Sequence, residues 1–78
     1  MWYQFGALEA YAEDGQYEKV LRMTDELLAG AGEMEEARYY RGVVFARQGK
    51  TAEARAEFEK ALQANPRYEK ATRALESL

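Results

Sequence analysis

Glu9 and Glu13, one helical turn apart, and the trio Glu33, Glu35 and Glu36 are the residues whose types and spacing come nearest to chemistry. Paired carboxylates can act as acid and base across a glycosidic bond, and an acidic cluster can begin a calcium shell. Neither set is complete. Glu9 and Glu13 share one helix face, and no pocket is predicted opposite them to hold a sugar between them. Glu33, Glu35 and Glu36 precede a helix, where carboxylates favour the positive end of the dipole, and no histidine exists to complete a shell. Cysteine is absent as well, which excludes a disulfide framework and a thiolate metal site. Gly30-Ala31-Gly32 is too short for a phosphate loop and follows no strand; it reads as an interhelical turn. No catalytic residue, metal or cofactor is assigned.

The elements that would carry these residues are read from periodicity. Tyr3, Ala7, Leu8, Ala10 and Tyr11 return at helical steps and predict a helix over 2–12, ended by Asp14-Gly15. Tyr17, Val20, Leu21, Thr24, Leu27 and Leu28 form a second stripe, closed by 29–32. A third helix is predicted over 33–48, with Gly49 as a left-handed turn residue. Thr51 is the expected cap of a fourth helix carrying Ala54, Phe58, Ala61 and Leu62 on one face. Asn65-Pro66 ends it, with Pro66 able to open a fifth helix over 67–78 that carries Tyr68, Ala71, Leu75 and Leu78. No segment alternates as a strand would.

The chain also repeats itself. Tyr11, Gly15, Val20, Leu27 and Leu28 are matched 34 residues later by Phe45, Gly49, Ala54, Ala61 and Leu62. A period of this length marks stacked helical hairpins. Bulky Tyr11, Phe45 and Phe58 are expected in the core, with small Ala10, Gly42, Ala54 and Ala61 where backbones approach.

Composition limits the partners. Seventy-eight residues, 47% apolar and 32% charged, with one proline and six glycines, describe one small folding unit. The formal charge is −3 and no two basic residues are adjacent, so nucleic acid and anionic membrane are poor partners. Arg38, Arg41, Arg47 and Arg55, dispersed among Glu35, Glu53, Glu57 and Glu59, read as solvent-facing pairs. The sequence holds no apolar run long enough to span a membrane or to serve as a signal peptide, which makes the cytoplasm the default compartment. Its start on an aromatic cluster fits a compact small protein or a piece of a longer array.

The stretch Tyr39 to Pro66 resembles the tetratricopeptide repeat: Gly42, Phe45, Gly49, Ala54, Phe58, Ala61 and Pro66 sit at signature positions. Residues 1–34 match more loosely through Leu8, Tyr11, Gly15, Tyr17, Val20, Leu27 and Leu28, with Thr24 where an aromatic is common and Gly32 where proline is common. Arg41 and Arg55 stand where apolar residues are usual. Tyr68 to Leu78 resembles the opening helix of a third copy. The resemblance implies an all-α fold, a right-handed α-α superhelix of about two and a half hairpins, as one domain over 1–78: repeat 1 about 1–34, repeat 2 about 35–68, and a capping helix about 67–78.

It further implies that the first helix of each hairpin lines a concave groove for a peptide or a partner helix. The groove positions are then Trp2, Phe5, Glu9, Ala12 and Glu13, followed by Glu36, Tyr39, Tyr40, Val43, Ala46 and Arg47, and by Lys70, Arg73, Ala74 and Ser77. Lys70 agrees with the basic clamp by which some members hold a terminal carboxylate, whereas Phe5, Glu9, Tyr40 and Ala74 do not. An aromatic patch of Trp2, Phe5, Tyr39 and Val43 remains, bordered by Arg47, Lys70 and Arg73, the mixture in which interfaces concentrate binding energy. The leading expectation is therefore a non-catalytic protein-protein interaction module that binds an acidic or carbonyl-rich peptide or helix. The competing one is self-association into a homo-oligomer through uncovered helix ends, with Trp2 and Phe5 at one end and Tyr68, Leu75 and Leu78 at the other.

Overall fold

The computed structural model describes residues 3–31 and 35–78. Five helices follow in order: α1 (Tyr3–Glu13), α2 (Tyr17–Ala31), α3 (Glu35–Arg47), α4 (Thr51–Ala64) and α5 (Glu69–Ser77). No strand occurs among the described residues. α1 with α2 and α3 with α4 form two hairpins, and α5 packs on α3 and α4.

The two hairpin turns are alike almost atom for atom. After α1, the Gln16 amide donates to the Tyr11 carbonyl at 2.9 Å and the Gly15 amide to Ala12 at 3.2 Å. After α3, Lys50 donates to Phe45 at 2.8 Å and Gly49 to Ala46 at 3.1 Å. This pairing satisfies helix-end carbonyls and requires a left-handed residue between. Gly15 and Gly49 supply it, with φ of 81° and 80°.

Two buried clusters stack through α3. Leu8, Ala12, Val20, Tyr40 and Val44 make the first. Ala54, Phe58, Ala61 and Ala71 make the second. Tyr39 and Val43 pack against both, so one face of α3 joins the hairpins. Within the second hairpin the Phe58 ring lies on Gly42, where a Cβ would stand 2.5 to 2.8 Å from three ring carbons. Tyr11 and Phe45, expected in the core, are half-buried at its margin, each beneath a lysine: Lys19 lies 4.5 Å from the Tyr11 ring centre and Lys50 5.9 Å from that of Phe45.

Several expectations need correction. Thr51 is not a cap: it is the first residue of α4, and Lys50 precedes the helix with no side-chain hydrogen bond. Gly30 and Ala31 belong to α2 and form no turn there. Pro66 does not open α5, because it lies in a turn that ends at Tyr68 before the helix begins at Glu69. Asn65 builds that turn: its Oδ1 accepts from the Arg67 amide at 3.1 Å and its carbonyl from the Tyr68 amide at 3.1 Å. The side-chain acceptor lets the chain reverse without the continuous helical amides that proline would interrupt.

Arg38 and Arg41 do not face solvent with their partners. Glu57 of α4 is buried, 8% exposed, and receives Arg38 Nη1 at 3.1 Å. Arg41 Nη1 donates to Thr24 Oγ1 at 3.2 Å and to Asp25, reaching across to α2. Its buried Nε makes no hydrogen bond, although Glu57 Oε2 is an ion-pair contact at 3.5 Å. Charges from three helices thus meet between the hairpins.

Candidate functional site

A cleft of about 170 Å³ opens where α1, α3 and α5 converge. α1 contributes Glu9, Ala12 and Glu13, α3 contributes Tyr39, Tyr40, Val43 and Arg47, and α5 contributes Lys70. Helical spacing explains the gathering: Glu9 and Glu13 are one turn apart, as are Tyr39, Val43 and Arg47, so each set forms one stripe. Six predicted site residues, Glu9, Tyr39, Tyr40, Val43, Arg47 and Lys70, therefore share one wall-and-floor arrangement.

Arg73 does not join them. It lines a separate depression with Pro66, Arg67 and Thr72, and its exposed guanidinium lies 3.7 Å from Glu69 one turn earlier. Lys70 and Arg73, three residues apart on α5, thus border different depressions. Trp2 and the side chain of Phe5 lie outside the described residues, as does Glu33. Glu35 and Glu36 form the first turn of α3.

The floor of the cleft is aromatic. Tyr39 stands at the centre, with ring centroids 5.1 Å from Tyr40, 5.7 Å from Phe58 and 5.8 Å from Tyr68. The Tyr40 and Tyr68 contacts are edge-to-face, the arrangement favoured by the ring quadrupole. Lys70 Nζ sits 5.8 Å from the Tyr39 ring centre, within cation-π range. Arg47 Nη1 donates to the Ala12 carbonyl at 3.3 Å. A cation there complements the negative end of α1 and ties the second hairpin to the first.

The acidic wall leaves its mark on the tyrosines. Burial pushes the Tyr40 hydroxyl up to about 12, and Glu9, Tyr39, Glu36 and Glu13 add to the rise. Tyr39 is raised by burial and by Glu9, with Arg47 opposing. Tyr68 is raised further by burial and by Glu36, and its enclosed hydroxyl has no hydrogen-bond partner. A carboxylate field at a phenol disfavours the phenolate, so these groups stay neutral donors and acceptors.

A second cleft of about 330 Å³ adjoins the first, sharing Val43 and Arg47. Ala46, Phe58, Ala74, Ser77 and Leu78 complete it. Ser77 Oγ donates to the Arg73 carbonyl at 3.1 Å, so the lining is apolar apart from Arg47. Ala46, Ala74 and Ser77, named from the groove positions, thus belong to this apolar extension. Sequence reasoning passed over Leu78 as part of a groove and over the cleft facing Glu9 and Glu13. Neither had a local signal, since both arise from where α5 lands on α3.

Of the two ends proposed for self-association, the one with Trp2 and Phe5 lies outside the residues whose side chains are described. Tyr68 and Leu75 are half-buried against the second core, while Leu78 is 39% exposed. Among the described residues no helix is long and apolar enough to cross a membrane.

Stacked hairpins with a groove along their first helices define a helical-repeat scaffold. Residues 35–68 match the family model of the tetratricopeptide repeat. No curated protein and no solved structure matches the chain. Repeats of this family serve as protein-protein interaction modules and are generally non-catalytic.

Proposed function

We propose that the chain binds a peptide segment of another protein along the concave surface of α1, α3 and α5. The observation that carries this reading is the pair of contiguous clefts, one polar and aromatic, the other apolar, meeting at Val43 and Arg47. An aromatic floor offers large contact area at small entropic cost, and the charged rim fixes orientation. The reading is non-catalytic: Glu9 and Glu13 lie on the same wall, and among the described residues no carboxylate lines the opposite side of their cleft.

The test is a titration of a captured partner against variants. Affinity falls by about tenfold or more in Tyr39→Ala, the loss of a buried aromatic anchor, and it changes in Lys70→Glu, a surface charge reversal that leaves folding intact. Arg55→Ala, which lines neither cleft, leaves affinity unchanged. Equal affinity in all three variants, with helicity preserved, overturns groove binding.

A further inference from the structure

The polarity of the groove points to the chemistry of its occupant, an inference that rests on the groove reading above. Glu9 and Glu13 are exposed carboxylates on one wall of the polar cleft, and neither makes an ion pair or hydrogen bond among the described residues. Tyr40, only 5% exposed, lines the same cleft, and its hydroxyl likewise makes no hydrogen bond among the described residues. The ring is enclosed but the hydroxyl, unlike that of Tyr68, stays open to the cleft, where an incoming donor can reach it. Its neutral form is reinforced by burial and by Glu9, Glu36 and Glu13, which places the hydroxyl in their common field.

The cations of the site are engaged differently. Arg47 is bonded to the Ala12 carbonyl, Lys70 rests over the Tyr39 ring, and Arg73 has left the cleft for Glu69. The demand left unmet on the α1 side is therefore for positive charge with N–H donors. Two carboxylates one turn apart and a phenol oxygen can accept such donors in charge-assisted hydrogen bonds. Next to them, the apolar cleft between α3 and α5 offers Val43, Ala46, Ala74 and Leu78 to a side chain without polar atoms.

We propose that the groove selects a partner segment carrying a basic side chain close to a bulky apolar one. The basic group lies between Glu9, Glu13 and the Tyr40 hydroxyl, and the apolar one fills the α3–α5 cleft. This reverses the acidic ligand expected from the row of basic residues, because the structure removes Arg73 and occupies Arg47.

The experiment follows backbone amide shifts of the full chain titrated with short alanine-based peptides. One series carries a leucine and an arginine at varied separations, and the other has glutamate in place of arginine. The best arginine peptide moves the amides of Glu9, Glu13, Tyr40 and Leu78 and binds at least about tenfold more tightly than its glutamate counterpart, the effect of one charge-assisted contact. Glu9→Gln with Glu13→Gln removes that preference and retains the shift at Leu78. Since both glutamates are exposed, helicity stays the same. A glutamate peptide that binds as well in the groove overturns the basic occupant while leaving groove binding intact, as does an arginine preference that survives the double variant. Absence of shifts with every peptide, or a dimer that covers Leu78 and excludes them, also overturns the basic occupant. Failure of groove binding itself is read separately, from an unaltered affinity of Tyr39→Ala for the captured partner.

Discussion

Bulk is distributed between partner helices residue by residue, and the two hairpins make opposite choices. In the second, α3 offers Gly42 and α4 fills the space with Phe58. At the equivalent positions of the first stand Leu8 and Thr24, both fully buried, so the large side chain has moved to the first helix. Gly42→Ala tests how tight the second arrangement is. Helix propensity favours alanine by roughly 1 kcal/mol, but the methyl group would overlap an enclosed ring with no exit. We expect a net loss of about 1 to 2 kcal/mol by urea unfolding, and a smaller loss when Phe58→Leu is present; a more stable Gly42→Ala contradicts the packing. Tyr40 provides a pH signature. Its folded value of about 12 lies above the ordinary 10, so the fold favours the protonated phenol. That stabilisation is fully present below pH 10 and is lost as pH rises through about 12. Stability measured across this alkaline window falls less in Tyr40→Phe than in the parent, and an equal fall in both removes Tyr40 as a contributor.

At the scale of elements, the glycine turns were legible because their cause is local. A left-handed residue is needed between the paired helix-end amides, and Gly15 and Gly49 are spaced to provide it. The start of α4 was misread for a related reason: threonine is a good cap by type, yet whether it occupies the cap depends on where the preceding turn closes. Here Lys50 completes that turn by donating to Phe45, and its own carbonyl accepts from Ala54 at 2.9 Å, which pushes Thr51 one position inward. Thr51→Ala should then change stability by less than about 0.5 kcal/mol, because no cap is lost and alanine is the better helix former. A loss near 1 kcal/mol in thermal or urea unfolding would mean that Thr51 caps the helix after all. The apolar stripe of Tyr39 and Val43 was readable from 3.6-residue periodicity. The displacement of Arg73 was not, since it depends on the angle at which a nine-residue helix meets α3. Arg41 and Thr24 were equally opaque: each departs from an apolar expectation, and only together, through the bond from Arg41 Nη1 to Thr24 Oγ1, do they replace the missing aromatic volume with a satisfied polar contact.

For the molecule as a whole, the question is whether its hairpins open separately or together. The first cluster draws on α1, α2 and α3, the second on α3, α4 and α5, and Tyr39 and Val43 touch both. Glu57 adds a charged tie: it holds Arg38 and Arg41 of α3, and Arg41 in turn reaches Asp25 and Thr24 of α2. Removing that carboxylate takes a buried counter-charge from two half-buried guanidinium groups at once, whereas removing Leu8 empties space within the first hairpin alone. Glu57→Ala should cost about 3 kcal/mol, and amide exchange should quicken in α2, α3 and α4 alike. Leu8→Ala should cost a similar amount, about 3 kcal/mol, yet its faster exchange should concentrate in α1 and α2 while the amides around Phe58 remain protected, because helical repeats transmit a defect only through the interface with the next hairpin. If Leu8→Ala instead exposes α4 to the same extent as α1, the interface through α3 is strong enough to make the chain a single cooperative unit, and the groove between the hairpins is then as rigid as either core.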